Sequence, residues 1–173
     1  MRFAYADPPY LGTSKFGAEH HYGDHHDQAG DYDSFDAHSN LIARLYVDFP
    51  DGWALSGNTT SMHLLLPEMP SGTRVCAWVK GWCSWKPGVH PKYAWEPVYL
   101  FGGRVPPPTY GRDWMQCNVR TAQNQAAKIP GAKPDEFCRW VLQLLGYTEG
   151  DEVVDLFPGT GVMDRVLSQG VLL

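Results

Sequence analysis

Apolar positions along the chain alternate between two patterns, one typical of buried strands and one typical of amphipathic helices. The strand-like runs are residues 2–7, "GWALSGN", "TRVCAWVKGW", "EPVYLFGG" and "DEVVDLF". A helix is predicted over 37–49, ended by Pro50, from five apolar residues at helical spacing: Leu41, Ile42, Leu45, Tyr46 and Phe49. Strands that alternate with helices predict an α/β sheet with helices on both faces.

Three further helices are marked by proline, glycine and charge. "TSMHLLLPEM" predicts a short helix that Pro67 ends, and "VMDRVLSQG" predicts a last short helix after the tight turn "PGTG". Between them, "KPDEFCRWVLQLLG" has Pro134 in its first turn and acidic residues at the positive end of the helix, and Gly146 closes it. Residues 11–35 predict a long, mobile and functional loop, and 104–132 predict irregular structure.

Composition favours one globular domain over 1–173. Hydrophobic residues make up 43% of the 173 positions and charged residues 19%. No apolar run is long enough to span a bilayer and no secretory signal is visible, so we expect a soluble, cytoplasmic protein. The cysteines lack paired spacing, which favours reduced thiols over a zinc site: Cys76, Cys83, Cys117 and Cys138.

Charge is unevenly distributed along the chain. Residues 1–73 contain 3 Lys/Arg against 10 Asp/Glu, whereas 74–139 contain 10 against 4. The basic stretch is also rich in Trp and Tyr, a combination that suits a surface that holds phosphates and stacks bases. Half-buried strands with solvated basic faces explain the same pattern equally well.

Two short motifs follow strand-like runs. In "VVDLFPGTGVMDRV" a Gly-x-Gly turn brings backbone close to a ligand at a strand's carboxyl end. A dinucleotide-binding fold requires a longer glycine motif and a further βα unit, but only 12 residues follow Gly161. Taken alone, the turn is as consistent with a plain tight connection.

The second motif is "ADPPY", at the end of the first strand. Pro8 and Pro9 fix the backbone and lack N–H donors, so that their carbonyls and the Asp7 carboxylate are acceptors beside the flat ring of Tyr10. Such a group suits a planar amine such as an exposed nucleobase. A capped Pro-Pro turn is the structural alternative. Because both motifs lie at strand ends, we expect them side by side on one edge of a mostly parallel sheet.

Together the motifs resemble the β (permuted) class of AdoMet-dependent DNA amino-methyltransferases, and also mRNA adenine methyltransferases. "ADPPY" resembles the catalytic motif in its adenine-associated Tyr form, and "DEVVDLFPGTG" resembles the cofactor turn. "KPDEFCRWVLQLLG" resembles the helix before the cofactor strand, and "AWVK" and "WEPVYLFGGR" resemble strands in the same order. The resemblance covers nearly the whole chain and implies a minimal, circularly permuted, Rossmann-like methyltransferase fold.

The resemblance also implies an activity, N6-methylation of adenine in nucleic acid, with DNA before RNA. Asp7 and the Pro8 carbonyl would bind the amino group, Tyr10 would stack on the base, and Pro9 would complete the catalytic motif. Lys133 would pair with the methionine carboxylate of AdoMet (S-adenosylmethionine, SAM), and no metal is required. The implied cofactor-binding residues are Asp7, Lys133, Pro134, Asp155, Phe157, Gly159, Thr160 and Gly161. Six basic residues are candidates for holding the nucleic acid: Lys15, Lys80, Lys86, Lys92, Arg104 and Arg112.

The chain departs from the family pattern in two places. Only 105–129 are available for target recognition, which implies low specificity, a dimer or partner subunit, or a single-stranded or RNA substrate. In larger relatives an acidic residue on the strand after the glycine turn holds the cofactor ribose, and no equivalent is found here. The small size would suit a compact genome such as that of a phage.

Alternatives remain open at this point. They are a non-catalytic subunit that binds AdoMet or nucleic acid, and a methyltransferase for RNA adenine, for cytosine or for another planar amine. His20, His21, His25 and His26 lie in the 11–35 loop, where no regular spacing fixes them as metal ligands, so a substrate-facing role is favoured.

Overall fold

The chain folds around one six-stranded sheet, with the strands in the order β5-β3-β4-β2-β1-β6. The computed structural model describes residues 1–12, 31–32, 34–83, 88–118 and 133–170. The strands are β1 (Arg2–Ala6), β2 (Gly52–Ser56), β3 (Arg74–Val79), β4 (Trp95–Gly102), β5 (Trp114–Gln116) and β6 (Glu152–Asp155). The helices are α1 (Phe35–Asp48), α2 (Met62–Leu65), α3 (Asp135–Leu145) and α4 (Val162–Ser168), and a 3-10 turn, Leu66–Glu68, continues α2.

The sheet is mixed but mostly parallel. Strand β1 pairs in parallel with β2 on one side and with β6 on the other. Strand β4 runs antiparallel to both β2 and β3, and β5 is parallel to β3. Five of the six described strands therefore run in one direction, and their carboxyl ends share one edge of the sheet.

Helices cover both faces because side chains alternate across each strand. Phe3 and Tyr5 of β1 pack in the cluster that contains the apolar faces of α3 and α4. Ala4 and Ala6, one position out of phase, pack in the cluster that contains α1. Strand β1 is thus buried on both faces, as its continuous apolar run indicates.

Helix ends follow local chemistry. The Ser34 side chain accepts a hydrogen bond from the backbone N–H of Ala37 and caps α1. Gly146 ends α3 in the left-handed conformation, with φ of 68°. A Cβ at this position would lie 2.8 Å from Cβ of Arg104, so both the conformation and the space require glycine.

The structure corrects two sequence-based element predictions and extends a third. The short α-helix ends at Leu65, just before Pro67 as predicted, but the chain continues into a 3-10 turn that has Pro67 near its start, where the missing N–H is not needed. The region 104–132, predicted to be irregular, contains β5, whose three residues are too few to give a periodic pattern. The predicted helix 37–49 begins earlier, at Phe35, because Ser34 is its cap.

Candidate active site

The two motifs lie on adjacent strands, as predicted from the sequence. Strands β1 and β6 pair in parallel with Tyr5 opposite Asp155, and the N–H of Leu156 donates to the carbonyl of Tyr5 at 2.9 Å. Asp7 follows the last residue of β1 and Asp155 is the last residue of β6. The carboxylates of the two motifs therefore belong to one edge of the sheet, where ligands of open α/β sheets bind.

Lys133 holds the Asp7 carboxylate. Its Nζ atom donates to Oδ1 of Asp7 at 2.7 Å and to Oδ2 at 2.8 Å. The Lys133 side chain is only 8% exposed and that of Asp7 20%, so the pair is shielded from solvent but open on the carboxylate side.

Tyr10 links this pair to a second carboxylate, that of Glu96. The Tyr10 hydroxyl lies 2.8 Å from Oε2 of Glu96 and 3.2 Å from Oδ1 of Asp7, and it accepts from Lys133 at 3.0 Å. A hydroxyl has one proton to donate, and the shorter distance indicates that Tyr10 donates its hydrogen bond to Glu96. Oδ2 of Asp7, which accepts only from Lys133 among the described residues, keeps one acceptor position unfilled.

Glu96 lies between two lysines. Lys80 donates to its Oε1 atom, and Nζ of Lys133 is 3.8 Å from its Oε2 atom. Burial alone would raise the pKa of Glu96, but the charges of Lys133 and Lys80, with hydrogen bonds from Lys80 and Tyr10, hold it below its ordinary value. Positive and negative groups thus alternate in the order Asp7, Lys133, Glu96, Lys80.

Aromatic rings pack against the two lysines of this cluster. Nζ of Lys133 lies 5.2 Å from the ring centroid of Tyr10 and 5.7 Å from that of Trp78. Nζ of Lys80 lies 4.8 Å from the Trp78 ring. Trp78 is itself buried, and its indole N–H donates to the carbonyl of Cys117. The lysines are therefore held in fixed positions by ring faces as well as by carboxylates.

Asp155 has an unusually high pKa for a carboxyl group. Burial raises its pKa to about 6; the hydrogen bond from the Phe157 N–H opposes this, and the negative charge of Asp7 adds to it. The N–H of Phe157 lies 3.1 Å from Oδ1 of Asp155. Two carboxylates therefore repel one another at this edge, which makes it a favourable place for a positive group.

The turn after β6 presents bare backbone. Gly159 and Gly161 have φ of 47° and 68°, in the left-handed region that favours glycine. Apart from Gly161 and its two chain neighbours, no heavy atom of the described residues lies within 4 Å of the position that a Cβ on Gly161 would occupy. The Phe157 ring packs edge-on against Tyr32, with centroids 5.0 Å apart, which anchors one side of the turn. Among the described residues, nothing fills the space over Gly161, where a ligand could lie against the backbone.

Similar solved structures share this fold. They include the crystal structure of M1.HpyAVI, at 14% identity and a TM-score of 0.51, covering 96% of this chain and 75% of that one. The M1.HpyAVI–SAM complex matches at 14% identity and a TM-score of 0.52, covering 97% and 78%. No family model and no curated protein matches the sequence. The α/β fold class predicted from the sequence is confirmed; at this identity the likeness establishes the fold alone.

The predicted nucleic-acid-binding residues are scattered in the structure. Lys80 is part of the charged cluster, and Lys92 precedes β4 at the same edge. Arg104 follows β4, whose antiparallel direction carries it to the opposite edge, where it binds Asp151 at 2.7 Å. Arg112 precedes the outer strand β5 by two residues, with its guanidinium 5.6 Å from the Trp114 ring centroid. Of the described predicted residues, the structure thus brings Lys80 into the candidate site and Lys92 to the same edge of the sheet, while Lys15 and Lys86 lie outside the described residues.

The remaining cofactor predictions have mixed placements. Pro134 caps α3 beside Lys133 and is buried, and Thr160 is half-buried in the glycine turn. The predicted partner of Lys133 was a cofactor carboxylate, whereas the structure pairs it with Asp7. Glu96 was not among the site residues predicted from the sequence. The signal that could have indicated it is a carboxylate at the start of a strand within a basic stretch.

Other sequence predictions concern metals, thiols and membranes. The four histidines of the 11–35 segment lie outside the described residues, and within the described ranges no group of three or more His, Cys, Asp or Glu is placed to hold a metal ion. The four cysteines, all within the described residues, form no disulfide. Across the same ranges, each helix falls short of the length and apolarity that a membrane crossing requires.

Proposed function

We propose that the chain is a SAM-dependent amino-methyltransferase that acts on the N6 amino group of adenine in DNA. The observation that carries the proposal is the position of the Asp7 carboxylate. It stands at the carboxyl end of β1, beside the glycine turn of the neighbouring strand, and its Oδ2 atom has an acceptor position that no described residue fills. An acceptor for an amine thus adjoins an open backbone turn.

Asp7 and the Pro8 carbonyl would accept the two hydrogens of the target amine. Pro8 is buried and, like Pro9, has no N–H, so this backbone offers acceptors only. Two acceptors in fixed positions orient the nitrogen lone pair away from themselves. The nitrogen becomes positively charged as it is methylated, and the negative carboxylate stabilises that charge where it develops.

Lys133 and Glu96 would tune this carboxylate. Lys133 fixes both Asp7 oxygens, so that the carboxylate does not have to reorganise during the reaction. Glu96 balances the charge of Lys133 and holds the Tyr10 hydroxyl. The Tyr10 ring is thereby set in one orientation, as stacking on a flipped-out base requires.

The residues around the glycine turn fit SAM. Asp7 and Asp155 provide negative charge for a cationic ligand, and the space over Gly161 admits one against the backbone. Phe157, Gly159 and Thr160 would line its binding site. Bound SAM supplies an electrophilic methyl group on a sulfonium, so the protein's task is to align the amine with it.

Transfer of a labelled methyl group tests the proposal. The protein is incubated with SAM that carries a labelled methyl group and with unmethylated DNA. Label is expected in the DNA with the unaltered chain and not with the Asp7→Ala variant. A matched substitution in an exposed ion pair, Asp113→Ala, should retain labelling, because Asp113 pairs only with Arg74 at the surface among the described contacts. Labelling that survives Asp7→Ala would refute the role of Asp7.

A further inference from the structure

Two exposed aromatic side chains lie at the same sheet edge as the candidate site. Trp82 is 71% exposed and Tyr93 is 45% exposed. Trp82 follows β3 and Tyr93 precedes β4, which places both at the edge where β1 ends. Large aromatic side chains are costly to leave in water, and an exposed cluster of them often marks a binding surface.

The backbone that carries these rings is held in place. The N–H of Lys80 donates to the carbonyl of Ala94 at 2.8 Å, which joins the two segments next to Tyr93. The N–H of Trp82 donates to Oδ1 of Asn118 at 3.0 Å. A Cβ on Gly81 would lie 3.0 Å from Nε2 of Gln116, so this turn is packed against the end of β5. Because the backbone is already ordered, a ligand that stacks here has less conformational entropy to remove.

These rings adjoin the charged cluster. Lys80 binds Glu96, and Glu96 accepts from Tyr10 beside Asp7. Trp82 is two residues beyond Lys80, so their Cα atoms are within about 7 Å of each other. The two rings therefore belong to the β3–β4 side of the candidate site.

The basic residues next to the two rings indicate the ligand. Lys80 lies two residues before Trp82, and Lys92 directly precedes Tyr93. Aromatic faces beside basic side chains are the features that bind unpaired nucleotides, because every base has a face that can stack. In a duplex those faces are covered by neighbouring base pairs.

We propose that Trp82 and Tyr93 form a stacking platform for unpaired bases next to the target base, and that the chain binds single-stranded DNA in preference to duplex DNA. The choice of DNA rests on the proposed function. A platform on rigid strand ends would also compensate for the small region available for target recognition.

Binding of a labelled 12-nucleotide oligothymidine, measured by fluorescence anisotropy, tests the platform. Trp82→Ala is expected to weaken binding roughly 5- to 100-fold, the effect of losing one base–aromatic stack. Trp82→Phe should recover most of the affinity, because it keeps an aromatic face. Tyr93→Ala should weaken binding by a smaller factor, in line with its lower exposure.

Tyr110→Ala is the matched control. Tyr110 is 84% exposed, but the adjacent Gly111 lies against Gln143, near the end of α3 that is remote from Lys133. Its loss should leave oligothymidine binding unchanged. Affinity within twofold of the unaltered chain for Trp82→Ala, or tighter binding of a hairpin duplex than of oligothymidine, would overturn the platform. Oligouridine bound more tightly than oligothymidine would overturn the assignment to DNA.

Separate measurements can refute the stacking platform and the methyltransferase proposal independently of each other. Oligothymidine has no amino group to methylate, so its binding does not depend on methyl transfer, and SAM binding by calorimetry reports on the glycine turn alone. SAM binding without oligothymidine binding would refute the platform and leave the methyltransferase proposal standing. Oligothymidine binding that depends on Trp82, without SAM binding, would refute the methyltransferase proposal and leave the platform standing.

Discussion

Lys133 donates to both carboxylate oxygens of Asp7 across 126 positions of the sequence. The contact joins the start of α3 to the end of β1, at the edge of the sheet where β6 also ends. Lys133 precedes α3 by two residues, and the apolar face of that helix is buried against the same sheet. The backbone that carries the Lys133 side chain is therefore held in place. The pair therefore connects the fold to the chemistry proposed for Asp7.

Removal of Lys133 should destabilise the fold. Lys133→Met leaves Asp7 and Glu96 as neighbouring carboxylates without the cation between them, and unfolding free energy is expected to fall by about 3 kcal/mol, as for other broken buried pairs. Urea unfolding at neutral pH measures this. Arg74→Met is the control: its pair with Asp113 is more than half exposed on each side, and its loss should change stability by less than about 1 kcal/mol.

The double variant Lys133→Met with Asp7→Asn distinguishes charge from packing. If the uncompensated carboxylate causes the loss, neutralising Asp7 should recover a substantial part of the stability. If the double variant is as unstable as the sum of the two single variants, the two side chains contribute independently and the electrostatic interpretation is wrong.

Glu96 should affect turnover more than cofactor binding. Glu96→Gln keeps an oxygen for the Tyr10 hydroxyl but removes the charge between Lys133 and Lys80. Methyl-transfer rate is expected to fall roughly 10-fold or more, since preorganised charge is lost around Asp7. SAM affinity by calorimetry should stay within a few-fold. An unchanged rate would show that Tyr10 needs only an acceptor and not a carboxylate.

Asp155 should make SAM binding depend on pH. Its pKa is raised from 3.8 to about 6, so the folded protein holds this proton at pH 5 and releases it by pH 7. Ionised Asp155 attracts the sulfonium, and SAM affinity should therefore rise between pH 5 and pH 7. S-adenosylhomocysteine, which lacks the sulfonium charge, should show a weaker rise; an equal rise for both ligands would argue against this contact.

Asp155 should also make the stability of the fold depend on pH, in the opposite direction to a carboxyl whose pKa folding lowers. Because the folded pKa exceeds the unfolded value, Asp155 stabilises the fold below pH 4, and this contribution is lost as the pH rises through about 6. Asp155→Asn keeps an oxygen for the Phe157 N–H and carries no charge. It should be more stable than the unaltered chain at pH 7 and lose that advantage at pH 4, as urea unfolding at both pH values would reveal.

Gly161 should be required for cofactor binding beyond its effect on stability. Gly161→Ala forces alanine to a φ of 68°, which costs about 1 kcal/mol, and places a methyl group in the open space of the turn. Gly170→Ala is a matched control, since Gly170 has φ of 75° and also has nothing within 4 Å. Both should lose similar stability, but only Gly161→Ala should weaken SAM binding. Equal SAM affinities for the two variants would place the cofactor elsewhere.

Sequence motifs were sufficient to predict the adjacent strand ends but not the charged cluster between them. "ADPPY" and "DLFPGTG" each mark a strand followed by a constrained turn, and two such ends in a parallel sheet must share an edge. The pairing of Lys80 with Glu96 depends instead on the antiparallel register of β3 and β4, in which Val79 lies opposite Trp95. No periodicity in the sequence specifies that register.

Strand direction explains the basic residue that the structure places away from the site. Arg104 was expected at the substrate surface because it lies in a basic stretch. It follows β4, the one described strand that runs against the others, and so reaches the opposite edge and a buried partner, Asp151. Net charge in a segment indicates a kind of partner, but the direction of each strand decides which residues can meet it.

Mass analysis of nucleosides from DNA treated with the protein and SAM identifies the methylated base. N6-methyladenine is expected with the unaltered chain, with its loss in Asp7→Ala and no methylated cytosine from either protein. Methylation on another base, no methylation by a chain that binds both SAM and DNA, or equal N6-methyladenine from the Asp7→Ala variant would contradict the proposed function.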